Sequence, residues 1–167
     1  VDLAGVFIGL EDGTRGVGFT YSFGPAGSTI KRFVEDVMAP GILGQDTADW
    51  PRLWEEIWWR NRRLGAGITR LALSAVDVAI WDAIDRKDGI PLHKLLGAQT
   101  DRVPVFASGN YSPALPVEKI VEHAIVDVAK GFNAIKIRIG GRSVEEDLDR
   151  LRQVRNAIGE NVRLMAD

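Results

Sequence analysis

Lys136 and Arg138 stand two residues apart in Ala134-Ile135-Lys136-Ile137-Arg138-Ile139-Gly140, a run in which β-branched residues alternate with others. A period of two makes a strand with unlike faces: Ile135, Ile137 and Ile139 on one, Ala134, Lys136 and Arg138 on the other. Helix-like segments precede and follow it, so the setting reads as βαβ, and parallel sheets of that kind are covered on both sides. Two cations on a covered face are costly unless they meet an anion or line a site. Asp167, one βα unit later at the end of the next apparent strand, can be that anion. Charged residues at the C-terminal ends of parallel strands usually belong to a site. As residue types, a lysine with a lowered pKa can move a proton, whereas arginine stays protonated and grips carboxylates. The plainer readings are an edge strand with solvated cations, or a structural Arg138–Asp167 ion pair.

The elements that would position these residues follow from periodicity and punctuation. Residues 6–10 and 16–21 read as strands of a hairpin around Asp12-Gly13. Gly16 and Gly18 lack the full phosphate-loop pattern, so close packing of the strand is expected there. Residues 22–27 form a loop. Tyr21 and Phe23 at its mouth read either as core or as ligand contacts, and they are the candidate substrate-binding residues. Ser28 is the expected N-cap of a helix ending at Met38, stopped by Pro40 and Gly41. Asp49 is expected to cap a helix with Pro51 in its first turn and Trp50, Trp54 and Trp58 as a core stripe. Arg60, Arg62 and Arg63 complement its dipole. Residues 68–87 carry the longest helical pattern, with Leu71, Ala75, Val78, Ala79 and Ala83 on one face and enough small residues for another backbone to approach. Asp77, Asp82 and Asp85 read as solvated charges.

A linker at residues 98–102 separates helix-on-helix patterning from alternating strand and helix. The expected domains are therefore 1–98 and 99–167. Beyond the linker come a strand at 103–107, a loop at 108–115, and a helix from Pro116 with Val117, Ile120, Val121, Ala124 and Val128 on the buried face. The Lys136 strand follows, then a helix opened by a Ser143–Glu146 capping box with Val144, Leu148, Leu151, Val154 and Ile158 as its apolar stripe, and a strand over 162–167. That is about two and a half βα units, whereas a closed (β/α)8 barrel needs eight.

The chain has 167 residues, 46% hydrophobic and 26% charged, with a net charge of −2. It can bury a core, and its charge gives no case for nucleic acid or an anionic membrane. There are no cysteines, hence no disulfide framework or thiolate metal site, and the default location is cytoplasmic. His93 and His123 read as surface residues. Residues 1–10 already read as the middle of a strand region and Asp167 falls where a strand finishes, so the chain is expected to be part of a longer protein and inactive alone.

The run Ala72-Leu73-Ser74-Ala75-Val76-Asp77-Val78-Ala79-Ile80-Trp81-Asp82-Ala83, followed by Arg86, Pro91-Leu92 and Leu95-Leu96-Gly97, resembles the helix signature of the mandelate racemase and muconate lactonizing enzymes, a branch of the enolase superfamily. Asp85 departs from it, standing where that family prefers Gly or Ala. The family's Lys-x-Lys ending the second barrel strand appears as Lys136-Ile137-Arg138, and its first metal-binding Asp matches Asp167. The resemblance runs through essentially the whole chain but covers only the first half of such an enzyme.

It implies an α/β fold, an α+β capping domain followed by the first βα units of a TIM-type (β/α) barrel. It also implies abstraction of the proton α to a carboxylate, with the resulting enediolate stabilised by Mg²⁺. Asp167 is then a metal ligand, and Lys136 and Arg138 are the catalytic candidates. The implied partner is a small-molecule carboxylate, an acid sugar or related 2-hydroxy acid, handled by a homo-oligomer. Arg138 cannot serve as the family's usual lysine base. Either Lys136 takes over or the base lies beyond this chain, and acid-sugar dehydration becomes the expected reaction. Racemase or cycloisomerase chemistry and a non-catalytic binding barrel are the alternatives.

Overall fold

The computed structural model describes all 167 residues, Val1–Asp167. The chain divides into two compact units, Val1–Gln99 and Thr100–Asp167.

In the first unit, β1 (Asp2–Gly9) and β2 (Arg15–Ser22) form an antiparallel hairpin. One face of β2 presents Gly16, Gly18 and Thr20, all buried, to α4 (Ile68–Asp88). A Cβ on Gly16 would stand 2.0 Å from the Ala79 carbonyl oxygen, and one on Gly18 2.0 Å from that of Ala75. Strand and helix backbones are thus in direct contact along Ala75, Ala79 and Ala83, and both expectations of close approach are met by the same seam. The adjoining face of α4 contributes Ala72, Leu73, Val76 and Ile80 to a core shared with Ile30, Met38, Trp50, Leu53 and Ile57. Val78, placed on the buried face by periodicity, is 45% exposed.

Several local expectations need correction. Ser28 is not the cap of α1 (Gly27–Phe33): Ala26 holds that position and no side chain caps it. Pro40 and Gly41 do not stop the helical path, which continues through a π turn (Val34–Met38) into α2 (Ala39–Ile42). Proline lacks an N–H, which makes it compatible with the start of a new helical segment, and the wider turn is closed by the Ala39 N–H donating to the Val34 carbonyl. Asp49 makes no cap bond to α3 (Trp50–Asn61). Asp46 instead accepts from the Ala48 N–H ahead of a 3₁₀ turn (Thr47–Asp49). The tryptophan stripe is graded: Trp50 is buried, Trp54 and Trp58 are half-buried, and Trp59 is exposed. Asp77 and Asp82 are tertiary ties. Asp77 Oδ1 accepts from Trp50 Nε1 at 2.8 Å. Asp82 Oδ2 accepts the Val17 backbone N–H at 2.8 Å and pairs with Arg86 at 2.9 Å. α4 ends on Gly89 in the left-handed region (φ 64°), a conformation that glycine adopts without steric cost. A short α5 (Leu92–Leu95) follows.

In the second unit, α6 (Val117–Ala129), β3 (Ala134–Ile137), α7 (Val144–Ile158) and β4 (Arg163–Ala166) follow in order, with β3 and β4 parallel. The strand expected over 103–107 is only a parallel bridge, Ala107 to Ile135; Pro104 has no N–H with which to extend a ladder. Ile135 and Ile137 are fully buried against Ile120, Ala124, Val154 and Ile158. Complete burial of such a side chain is worth about 1.5–3 kcal/mol. Ile139, expected on the same face, is 39% exposed. The capping box on α7 is present as expected. Its stripe is met only in the later turns: Leu151, Val154 and Ile158 pack on the core, whereas Val144 and Leu148 are exposed and Asp147 and Arg150 are buried instead. The helix is turned so that these two polar residues reach loop backbone. Asp147 Oδ2 accepts from the Gly140 N–H at 2.7 Å, and Arg150 donates to the Leu115 and Ser112 carbonyls at 2.9 and 3.3 Å. No helix of the chain is long and apolar enough to cross a membrane.

The seam in the first unit sets a sharp expectation. In the full-length protein, Gly18→Ala should destabilise by about 3 kcal/mol or more, since the colliding atoms are backbone. Gly9→Ala, with nothing within 4 Å of the added Cβ, should change stability by less than about 0.5 kcal/mol. Denaturant unfolding of the two variants checks the contrast.

Candidate active site

The ladder between β3 and β4 pairs Lys136 with Met165 and Ile137 with Ala166, and backbone hydrogen bonds carry it beyond the regular strands. The Asp167 N–H donates to the Ile137 carbonyl at 3.0 Å, and the Ile139 N–H donates to the Asp167 carbonyl at 2.8 Å. Asp167 is therefore fixed at the C-terminal end of β4, beside the last residues of β3. On the other edge of β3, the Lys136 N–H donates to the Ala107 carbonyl at 2.8 Å and the Arg138 N–H to that of Tyr111 at 3.2 Å.

With Ile135 and Ile137 committed to the helix layer, Lys136 and Arg138 fall on the other face. Lys136 Nζ meets Asp167 Oδ2 at 2.7 Å, with the lysine side chain 26% and the aspartate side chain 57% exposed. The ion pair considered for Arg138 is thus made by Lys136. Arg138 is exposed and acts on Asp167 through its charge at longer range. The Lys136 hydrogen bond and charge, with Arg138 adding to them, hold the Asp167 carboxyl below its ordinary range. The Phe106 ring lies 5.4 Å from Lys136 Nζ, within reach of a cation–π attraction. Lys136 is therefore flanked by a carboxylate and an aromatic face.

Tyr21 and Phe23 belong to the first unit. They are 51% and 86% exposed, so they are not core residues, and their rings pack edge to face with centroids 5.5 Å apart.

Sequence reasoning missed two features near the cations. Phe106 lies inside the expected strand, and its place just before Ala107, the residue that pairs with β3, is the signal that marks it. Tyr111, read as a loop residue, is 1% exposed, and its hydroxyl donates to Asp127 Oδ2 at 2.7 Å. Burial first, and then the Asp127 contact, push the Tyr111 phenol well above its ordinary range. The Tyr111 hydrogen bond holds Asp127 low against the opposing effect of burial, with Lys130 assisting. His123, expected at the surface, is half-buried, and its Nδ1 lies 3.1 Å from the Asn110 carbonyl.

Lys136, Arg138 and Asp167 stand together at the C-terminal ends of adjacent parallel strands, the end at which barrel enzymes carry their sites. Residues 2–97 match the family described as "Mandelate racemase / muconate lactonizing enzyme, N-terminal domain", and residues 119–167 match "Enolase C-terminal domain-like". The chain belongs to the mandelate racemase/muconate lactonizing enzyme branch of the enolase superfamily. It is 35% identical to a 3,6-anhydro-alpha-L-galactonate cycloisomerase from Streptomyces coelicolor, over 99% of this chain and 46% of that one. It is 32% identical to an L-talarate/galactarate dehydratase from Salmonella typhimurium, over 94% of this chain and 39% of the relative. A crystal structure described as a racemase from Streptomyces coelicolor with bound magnesium superposes with a TM-score of 0.89 at 35% identity, covering 99% of this chain and 49% of that one. The chain spans less than half the length of these curated relatives. Its α/β fold is that of a capping domain followed by the first βα units of a barrel.

The buried Tyr111–Asp127 contact has a pH signature. Asp127 has a lowered folded-state pKa, so its contribution to stability is fully present above the unfolded value of about 3.9 and is lost as pH falls through the folded value. Asp127→Asn in the full-length protein should lose less stability between pH 7 and pH 3 than the wild type does. Melting curves at the two pH values check this.

Proposed function

We propose that the enzyme to which this chain belongs removes the proton α to the carboxylate of an acid sugar or related 2-hydroxy acid, and that the overall reaction is loss of water. Residues 1–98 serve as the capping domain and residues 99–167 as the start of the barrel. The observation that carries this reading is the Lys136–Asp167 contact at the C-terminal ends of adjacent parallel strands, with Arg138 on the same face. The similarity to an enzyme named as a dehydratase supports the reaction class.

Asp167 fits a Mg²⁺ ligand: it is an exposed, ionised oxygen donor, the type that this cation takes. No three His, Cys, Asp or Glu side chains of the chain come together to hold a metal, so Asp167 would be one ligand of a set completed by residues outside this chain. When bound there, Mg²⁺ supplies positive charge beside the substrate carboxylate, where negative charge develops in the transition state. Arg138 presents a planar fork able to hold a carboxylate by two hydrogen bonds. Lys136 is assigned to accept or steer the α proton. An ammonium cannot accept a proton, so base function requires Lys136 to act as the neutral amine, its proton given up and its contact with Asp167 released. Tyr21 and Phe23, exposed on the first unit, are proposed as substrate-binding residues.

Cycloisomerisation is the second reading, favoured by the 35% identity to an enzyme of that name. Product analysis separates the two, since only dehydration releases water. A metal-free binding barrel would show no Mg²⁺ affinity.

In the full-length enzyme, Asp167→Asn should weaken Mg²⁺ binding in calorimetry and abolish most turnover; unchanged affinity would reduce Asp167 to an ion-pair partner. Lys136→Met should lower kcat by about 10²–10⁴-fold if Lys136 is the base, with α-deuterium exchange followed by NMR slowed in parallel. Exchange at the wild-type rate would place the proton acceptor elsewhere. Arg138→Lys should mainly raise KM, because an ammonium cannot reproduce the fork.

A further inference from the structure

Tyr111 is held at both ends. Its phenol reaches α6 through Asp127 at 2.7 Å, and its backbone carbonyl accepts the Arg138 N–H at 3.2 Å. Asp127 is itself 9% exposed, and its other oxygen takes Lys130 Nζ at 3.2 Å. The loop that follows is pinned as well. Arg150 donates to the carbonyls of Ser112 and Leu115, and Arg142 Nε donates to that of Pro113 at 2.9 Å. Gly141 packs so closely that an added Cβ would lie 2.9 Å from the Pro113 Cβ. A phenol buried to this degree costs free energy unless its hydroxyl is satisfied, and the partner it has is a carboxylate on a helix. What this arrangement fixes is one peptide unit, the Tyr111 carbonyl, against the backbone from which Arg138 projects.

We infer that Tyr111 and Asp127 form a positioning pair that sets the backbone at Arg138 and so aims its guanidinium at the substrate carboxylate. The inference rests on the assignment of Arg138 as the carboxylate clamp. Both residues are buried, so the pair acts through Arg138 and not by its own contact with substrate. The phenol–carboxylate bond holds the loop, the loop carbonyl holds the Arg138 amide, and the guanidinium inherits its direction. Loosening this tether should weaken substrate capture more than it slows the chemical step, because an arginine fork is effective only when both of its hydrogen bonds are aligned.

The test uses the full-length enzyme with Mg²⁺ and its acid-sugar substrate. Tyr111→Phe should raise KM roughly 3–10-fold, the scale of one lost hydrogen bond, with kcat changed by less than about twofold. Asp127→Asn keeps an oxygen acceptor for the phenol and should retain a KM near that of the wild type, whereas Asp127→Leu should behave like Tyr111→Phe. In an Arg138→Lys background, Tyr111→Phe should add little, since the group being aimed is gone. A Tyr111→Phe enzyme that loses thermal stability but keeps KM, or one whose effect adds fully to that of Arg138→Lys, would overturn the inference. Hydrogen exchange at the Arg138 amide separates the two layers of the argument. Faster exchange in Tyr111→Phe with KM insensitive to Arg138→Lys would retain the tether and reject the clamp, while unchanged exchange rejects the tether itself. Should Tyr111→Phe fail to fold, the contrast between Asp127→Asn and Asp127→Leu decides the same question.

Discussion

The parallel pairing of β3 with β4 is the constraint from which the site follows. Once Ile135 and Ile137 are buried against α6 and α7, the pleat sends Lys136 and Arg138 the other way. The register then decides which residue of the next strand they meet. A shift of one residue would turn the Asp167 side chain toward the opposite face. The reciprocal bonds between Asp167 and the backbone of Ile137 and Ile139 prevent this at Asp167 itself. The apolar packing on one side and the charge cluster on the other are two results of a single alignment.

Within that alignment the outcome at Lys136 is set by geometry as well as charge. Arg138 stands nearer the end of the strand, yet the contact with Asp167 is made by the long, flexible lysine, whose ammonium also finds the face of Phe106. A compact ammonium needs only proximity, while a guanidinium gains most from a planar partner offering two oxygens. Arg138 is thereby left exposed, which suits a group assigned to an incoming carboxylate.

Much of this was legible in the chain. Alternation around Lys136, the small residues of α4 and the Ser143–Glu146 box each depend on neighbours in sequence, and each took the form their spacing implied. The failures share a different cause. Asp147 and Arg150 lie on the buried side of α7 because their partners are backbone groups in loops, up to 38 residues away in the case of Arg150. A stripe read from apolar residues alone puts Val144 and Leu148 there instead. Tyr111 and Asp127 find each other across 16 positions, and Asp77 and Asp82 are tied to residues far along the chain. Periodicity reports which face of an element avoids water; it does not report a polar residue that satisfies another segment's backbone.

The glycine–alanine seam between β2 and α4 distributes evolutionary freedom unevenly along a single strand. At Gly16 and Gly18 no side chain larger than a hydrogen fits. One pleat away, Val17, Phe19 and Tyr21 lie on the open face with 43–59% of their surface in solvent. Substitutions there leave the interlock untouched. Such a strand can diversify its outward chemistry among descendants while its inward half remains frozen, so that novelty and rigidity are drawn from alternate residues of the same eight.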